Sequence, residues 1–394
     1  MIEELLENDR IEIFLQPIVS IKDKSIFAFE ALTRAYDEKG NCISPSLLFE
    51  TAYRDAKSCK LDEYVRELAL QNFLQYYHQN SASLLFLNYE SSVIDSRKHT
   101  DFIDVVKKYD IPSSNIVIEI KEDKVKDNEL LKDFIELYKQ NGFVIAIDDF
   151  GTGYSSFDRL ELIKPDIVKV DRSIISDIHD NFINSEILSA ISNMCHQIGS
   201  IVLAEGVEDS DEILTCMKKD IDIYQGYWFA KPAAQINEND LDNIQNSIQE
   251  AASIYKKMIQ SDILKKQLVF DRSKSLTSKT FSILQEYGLN GLDEIEKVFL
   301  LDDALEAIYF IHFDNGIQVG KTFINAKDRY LYKPTSEGYD HSLREYYFIT
   351  KDSSRGDYLS KRYVSKASGN MCRTYASKIR FNRQYYIVCF DIAD

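Results

Sequence analysis

The sequence predicts an α/β protein in which a (β/α)8 TIM-like barrel is followed by a helical linker and a smaller α+β domain. Three observations carry this. Between about residues 11 and 235, short apolar runs alternate with amphipathic stretches, the pattern of a mostly parallel sheet covered by helices. So many units in about 225 residues suit a closed barrel better than an open sheet. Residues 237–286 contain neither proline nor glycine and read as polar helix, after which strand-like segments dominate. The expected boundaries are 1–240 for the barrel, 241–286 for the linker and 287–394 for the second domain.

The elements follow in order. "IFLQPIV" and "FAFEALTR" open the barrel as strands, and "PSLLFETAYRD" and "KLDEYVRELALQNFLQYYHQ" form a helical pair. "LLFLNYE", "NIVIEIKE" and "VIAIDDFG" are apolar strands separated by helices near 100–109 and in "NELLKDFIELYKQNG". "DIVKVDRS", "IVLAEGVE" and "YQGYWFAKP" complete the set, with helices in "SEILSAISNMCHQIG" and "DEILTCMKK" between them. The linker places Ile254, Met258, Ile263 and Leu268 along a helix expected to bend or fold back, since much of a straight one would be solvated. In the last domain, Asp314-Asn315-Gly316 reads as a hairpin turn between strands.

Composition narrows the function. A formal net charge of −17 argues against a protein that coats nucleic acid or inserts into an anionic membrane. It leaves room for a small anionic ligand, because a bound divalent ion inverts the local field. No apolar run approaches the roughly 20 residues of a membrane helix, and "MIEELLENDRIEIF" has acids where a secretory leader has a basic segment. The six cysteines are scattered without a CxxC pair, as expected of free thiols in the cytoplasm. The six histidines show no HExxH spacing. "GTGYSS" lacks the third glycine of a dinucleotide fingerprint and follows two acids.

The chemistry gathers at strand ends. Glu30, Asn88, Glu119, Asp148, Asp149, Lys169, Glu205 and Gln225 all stand where an apolar run gives way to acid, amide or lysine. In a barrel such ends converge on one mouth, where chemistry occurs. Carboxylate and amide oxygens without histidine or cysteine are hard ligands, suited to magnesium, manganese or calcium rather than zinc. Two such ions activate a water and stabilise the phosphoryl oxygens of an in-line displacement. In that arrangement the adjacent acids divide the work, Asp148 bridging the ions and Asp149 reaching the second. Lys169 neutralises a phosphate oxygen or holds the attacking water.

Glu30-Ala31-Leu32 is the tripeptide that names the EAL family of cyclic di-GMP phosphodiesterases, and the surrounding segments resemble that family in order. They are "QPIV" (16–19), "FEALTR" (29–34), "LN" (87–88), "IEIKE" (118–122), "DDFGTGYSS" (148–156), "VKVDRS" (168–173), "AEGVE" (204–208) and "QGYWFAKP" (225–232). The resemblance implies hydrolysis of cyclic di-GMP to 5′-pGpG with Mg2+ or Mn2+, and inhibition by the larger Ca2+. It implies Glu30, Asn88, Glu119 and Asp148 as ligands of one ion, and Asp148, Asp149 and Glu205 as ligands of the other. Lys169 then orients water or phosphate, Gln225 belongs to the water-positioning shell, and Gln16 and Arg34 contact substrate. Glu122 steadies the "DDFGTGYSS" loop. Glu208, read from the residues alone, either stabilises its own loop by hydrogen bonds or touches the chemistry. The family usually has threonine before the loop glutamate, where this chain has Lys121. Family members commonly pair through the face near that loop, so a homodimer is expected. The rival reading is a barrel that binds cyclic di-GMP without cutting it, acting as a receptor or scaffold.

The segment from Arg344, Tyr346 and Tyr347 through "YLSKRYVSKASG" (358–369) resembles the ligand-binding half of PAS-like and Cache-like sensor domains. That resemblance implies a small-molecule ligand and regulation of the barrel. Tyrosines at strand spacing also occur as ordinary packing.

Overall fold

The structure, a computed structural model, describes residues 1–90, 93–94, 101–121, 127–152, 157–288, 294–295, 297–298, 303–325, 333–365 and 369–393. The chain divides into two compact units, Met1–Met258 and Ile259–Asp394.

The first unit is built on a nine-stranded sheet. Its strands are β1 (Ile11–Ser20), β2 (Ser25–Tyr36), β3 (Cys42–Ile43), β4 (Leu84–Tyr89), β5 (Ile116–Lys121), β6 (Val144–Phe150), β7 (Ile167–Val170), β8 (Ile201–Ala204) and β9 (Ile223–Tyr224). The order β1-β9-β8-β7-β6-β5-β4-β2 closes through a β1–β2 pairing, and β3 hangs from β2. The expected closed barrel is present, with one correction to its parallel sheet. β1 runs antiparallel to both β2 and β9. The cause is local: only residues 21–24 join β1 to β2, and a parallel crossover needs about a dozen residues or more.

Inside the ring, Ile18, Ala28, Phe86, Val117, Ala146, Ile167, Leu203 and Ile223 form one apolar cluster, a single side chain from each closing strand. This is the packed floor on which the mouth is built. The outward faces pack under the helices in a second, larger cluster.

The segment expected as a bent linker is one helix, Glu238–Tyr287, of 50 residues. It does not stand apart as a linker. Ile244, Ile248 and Ala251 are buried in the core of the first unit, and Leu276 and Leu284 in that of the second. With no helix breaker, each end gains stability by packing an apolar stripe. Serine and threonine side chains along it bond back to carbonyls four residues earlier, as from Ser273 to Val269 at 2.7 Å. Ile263, Leu264 and Leu268 are exposed. Among the described residues, no helix is long and apolar enough to cross a membrane.

The second unit is a smaller β-rich domain. Its antiparallel sheet runs β11 (Gln318–Ile324), β10 (Leu305–His312), β15 (Gln384–Ala393), β14 (Met371–Phe381) and β12 (Asp357–Leu359), with β13 (Tyr363–Val364) also on β14. The predicted turn joins β10 to β11, with Gly316 at φ +77°. Alternation along β15 sends Val388 and Phe390 to one apolar cluster and Ile387 and Cys389 to the opposite face.

Candidate active site

The mouth follows from the floor by counting. Strand side chains alternate with a period of two. Two residues mouthward of each floor residue stand Gln16, Glu30, Asn88, Glu119, Asp148, Lys169, Glu205 and Gln225. Gln16 precedes its floor residue because β1 is reversed, and it sits opposite Glu30 in the β1–β2 register. Each closing strand thus contributes one polar side chain to a layer above one apolar layer.

Lys169 lies at the centre and is 1% exposed. Its Nζ is 2.5 Å from Glu119 Oε1, 2.7 Å from Glu205 Oε1, 2.9 Å from Asp148 Oδ1 and 3.6 Å from Glu30 Oε1. The amides complete the ring. Gln225 Nε2 donates to Glu30 Oε2 at 2.5 Å and to Gln16 Oε1 at 3.2 Å, and Asn88 Nδ2 donates to Glu30 Oε1 at 3.2 Å.

Asp149 reaches the same place by a different route. Adjacent residues of a regular strand point to opposite faces, so Asp148 and Asp149 should diverge. The β6–β7 register instead shifts between Ile147 and Phe150, and Asp149 adopts φ +59°, a left-handed conformation that aspartate tolerates better than most residues. As a result, oxygens of Asp148, Asp149 and Glu205 lie within 4.8 Å of one another. The chain then leaves through Gly151 at φ +105°, where a Cβ would meet Ile174 Cδ1 at 2.3 Å.

Electrostatics set the character of the site. Burial raises Glu119 well above the usual carboxylate range, with Glu30 adding to the effect and Lys169 opposing it. Burial likewise pushes Glu205 up to about 8 against the pull of Lys169. Asp148 is held low: burial resists its ionisation, but Lys169 and then Lys121 overcome that. For Lys169 burial disfavours the charge, and the surrounding carboxylates more than restore it. Among the described residues, five carboxylates face two ammonium groups here, and the buried Glu119 Oε2 has no hydrogen-bond partner. That surplus of hard oxygen donors fits a divalent cation.

The ring opens into a cleft of about 900 Å3. Arg34 lines it, donating to the Thr33 carbonyl at 2.9 Å with its guanidinium over the Phe14 ring. Glu208 pairs with Arg172 at 2.7 Å. Glu122 and Gly153 lie outside the described residues. The sequence reading did not single out Arg172, Tyr53 or Tyr227, all of which line the cleft. Arg172 lay inside the "VKVDRS" segment. Tyr227 lies inside the "QGYWFAKP" segment, whereas Tyr53 has no signal apart from being aromatic near a helix end; they are 55% and 71% exposed.

The family profile of the EAL domain matches residues 1–232. The chain belongs to the EAL domain family. Among its relatives is the cyclic di-GMP phosphodiesterase PdeF of Escherichia coli (strain K12), 28% identical over 249 residues, which are 62% of this chain and 33% of that protein. The chain spans about a third of the length of the first curated relatives it matches. The EAL-domain-containing protein YkuI of Bacillus subtilis is 22% identical over 377 residues, 92% of this chain and 90% of that one. The YkuI crystal structure, in complex with substrate c-di-GMP and calcium, superimposes with a TM-score of 0.80 at 20% identity over 100% of this chain and 99% of that one. It therefore shares the fold of both units. The manganese and cyclic di-GMP complex of Klebsiella pneumoniae BlrP1 matches the EAL domain at TM-score 0.51 and 26% identity, over 57% of this chain and 56% of that one.

Proposed function

We propose that this EAL domain hydrolyses one phosphodiester bond of cyclic di-GMP and releases 5′-pGpG. The observation that carries the reading is the polar ring itself, in which each closing strand delivers one family-matched side chain to one mouth. Its relatives include named cyclic di-GMP phosphodiesterases.

Glu30, Asn88, Glu119 and Asp148 would hold one Mg2+ or Mn2+, and Asp148, Asp149 and Glu205 a second. Such ions, when bound, supply a water nucleophile at neutral pH and neutralise charge on the phosphoryl oxygens. The chain's own residues do the rest. Lys169, buried and kept charged by the carboxylates around it, holds the water or a phosphate oxygen in place. Gln225 and Gln16, locked together at 3.2 Å, fix the direction of the Glu30 carboxylate. Arg34 and Arg172 line the cleft as cations for the second phosphate and its neighbours, and Tyr53 and Tyr227 offer faces for the bases. In the reaction the water oxygen bonds to phosphorus, the P–O3′ bond breaks, and a proton ends on the released 3′ oxygen.

The same proposal covers a cytoplasmic, homodimeric protein whose second unit acts as a PAS/Cache-like sensor on the barrel. One observation favours the receptor alternative: Lys121 already sits on the Asp148–Asp149 pair. The deciding assay incubates the full chain with cyclic di-GMP and Mg2+ or Mn2+ and separates the products. We expect 5′-pGpG, abolished by chelator and suppressed by excess Ca2+. Tight cyclic di-GMP binding without product would establish the receptor, and product in chelator would end the metal mechanism.

A further inference from the structure

We infer that Lys121 is a resident counter-cation of the Asp148–Asp149 pair, and that a divalent ion at this pair must displace it. The inference rests on the two-ion reading of the site and adds what sets the affinity of the second ion.

The position of Lys121 is fixed by the backbone. In the parallel β5–β6 pairing, Lys121 and Asp148 are direct partners, and Lys121 stands two residues beyond Glu119 on the same strand face. Its Nζ lies 2.6 Å from Asp149 Oδ2 and 3.7 Å from Asp148 Oδ2. The other Asp148 oxygen, Oδ1, is taken by Lys169 at 2.9 Å, and Glu205 Oε1 by the same lysine at 2.7 Å. Every member of the Asp148, Asp149 and Glu205 trio is therefore already paired with an ammonium group. Asp149 depends on Lys121 alone for that pairing among the contacts described.

The two lysines differ in how readily they yield. Lys169 is 1% exposed and enclosed by the ring, whereas the Lys121 side chain is 35% exposed. Its long stem lets the ammonium swing into solvent without moving β5. Lys121 thus competes for the second position without closing it. A threonine at this position would offer no such charge. This chain should then take one divalent ion readily and a second only at higher concentration.

The test titrates Mn2+ alone, without substrate, into the full chain and into Lys121→Thr, Lys121→Gln and Lys121→Arg. Calorimetry and the electron paramagnetic resonance of free Mn2+ give the number of ions and each constant. We expect the weaker constant to tighten at least tenfold in the threonine and glutamine variants and to stay weak with arginine. Circular dichroism confirms that each variant is folded, and the two neutral variants guard against the failure of either. Two ions bound with the same constants in all four proteins would overturn the inference and leave the hydrolase reading intact. Binding of a single ion in every variant would overturn the inference and the two-ion reading together. If the weaker constant shifts as expected but no protein forms 5′-pGpG, the inference stands and the hydrolase reading falls.

Discussion

The barrel mouth and the surroundings of Asp391 and His341 in the second unit both bury polar side chains, but they do so by opposite means. At the mouth, among the described residues, five carboxylates meet two lysines, and Glu119 Oε2 goes without a hydrogen bond. On the second unit, Asp391 is buried and accepts hydrogen bonds from Thr374 at 2.8 Å, Ser365 at 2.9 Å and Tyr363 at 3.2 Å. Burial raises its pKa, and the hydroxyls oppose the rise. His341, also buried, bonds Tyr346 at 2.7 Å and Gln318 at 3.0 Å. The second network, among the described residues, pairs each of these groups with hydroxyl or amide partners. The mouth has charge left over, so it calls for a cation from solution. Surplus charge, more than burial of polar atoms, distinguishes the mouth from the second network.

The largest effect should come from removing the cation at the centre of the mouth. Lys169→Met leaves the buried carboxylates of Glu119, Asp148 and Glu205 without their shared partner. Breaking a buried charge cluster in this way costs about 3–5 kcal/mol, and turnover should fall roughly a thousandfold with the loss of a positioned charge. Added Mn2+ should restore more thermal stability to the variant than to the unchanged protein, because it replaces missing positive charge. Scanning calorimetry with and without Mn2+ checks this. Equal gains would show that the carboxylates had simply taken up protons.

The next effect concerns where the first unit ends. A chain cut after residue 240 removes Ile244, Ile248 and Ala251 from the barrel core. Burying two isoleucines stabilises by about 1.5–3 kcal/mol each, so residues 1–240 should be about 4 kcal/mol less stable than residues 1–258 in urea. Comparable midpoints would mean that the start of the long helix adds little to the barrel.

That boundary also shows what the sequence could and could not disclose. The polar ring was legible because it rests on period-two alternation and strand ends, which are local. The reversed β1 was legible in principle, since four residues cannot carry a crossover. The convergence of Asp148 and Asp149 was not. It depends on a register shift and a left-handed aspartate, and neither has a distinctive local pattern. The extent of the barrel was hidden for another reason: no proline or glycine between residues 237 and 286 marks where the helix positions buried in the barrel core, Ile244, Ile248 and Ala251, come to an end. Lys121 was visible as an unusual residue, but its meaning required the β5–β6 register.

The smallest predicted effect tests the neutral half of the comparison. Gln318 Nε2 donates to the Gly320 carbonyl at 3.1 Å and to Thr322 at 3.0 Å. This orients its Oε1 toward His341, so His341 Nε2 carries the proton and Nδ1 accepts from Tyr346. Burial, reinforced by the nearby Arg344 charge and opposed by Asp340, lowers the His341 pKa from 6.5 to about 4. The folded pKa lies below the unfolded one, so the contribution to stability is complete above about pH 6.5. It is lost as pH falls from there to about 4, and below that both states hold the proton. The loss over this window is on the order of 3 kcal/mol. Acid also titrates the carboxylates of the mouth, so the measurement must be local and differential. Amide hydrogen exchange at β10 and β15 of the full chain should slow by a smaller factor at pH 5 than at pH 7, after correction for intrinsic exchange. The His341→Gln variant should show a flatter dependence over the same range. If both proteins lose protection in parallel, the acid sensitivity of the second unit arises elsewhere, and Asp391 with its hydroxyl partners becomes the group to examine.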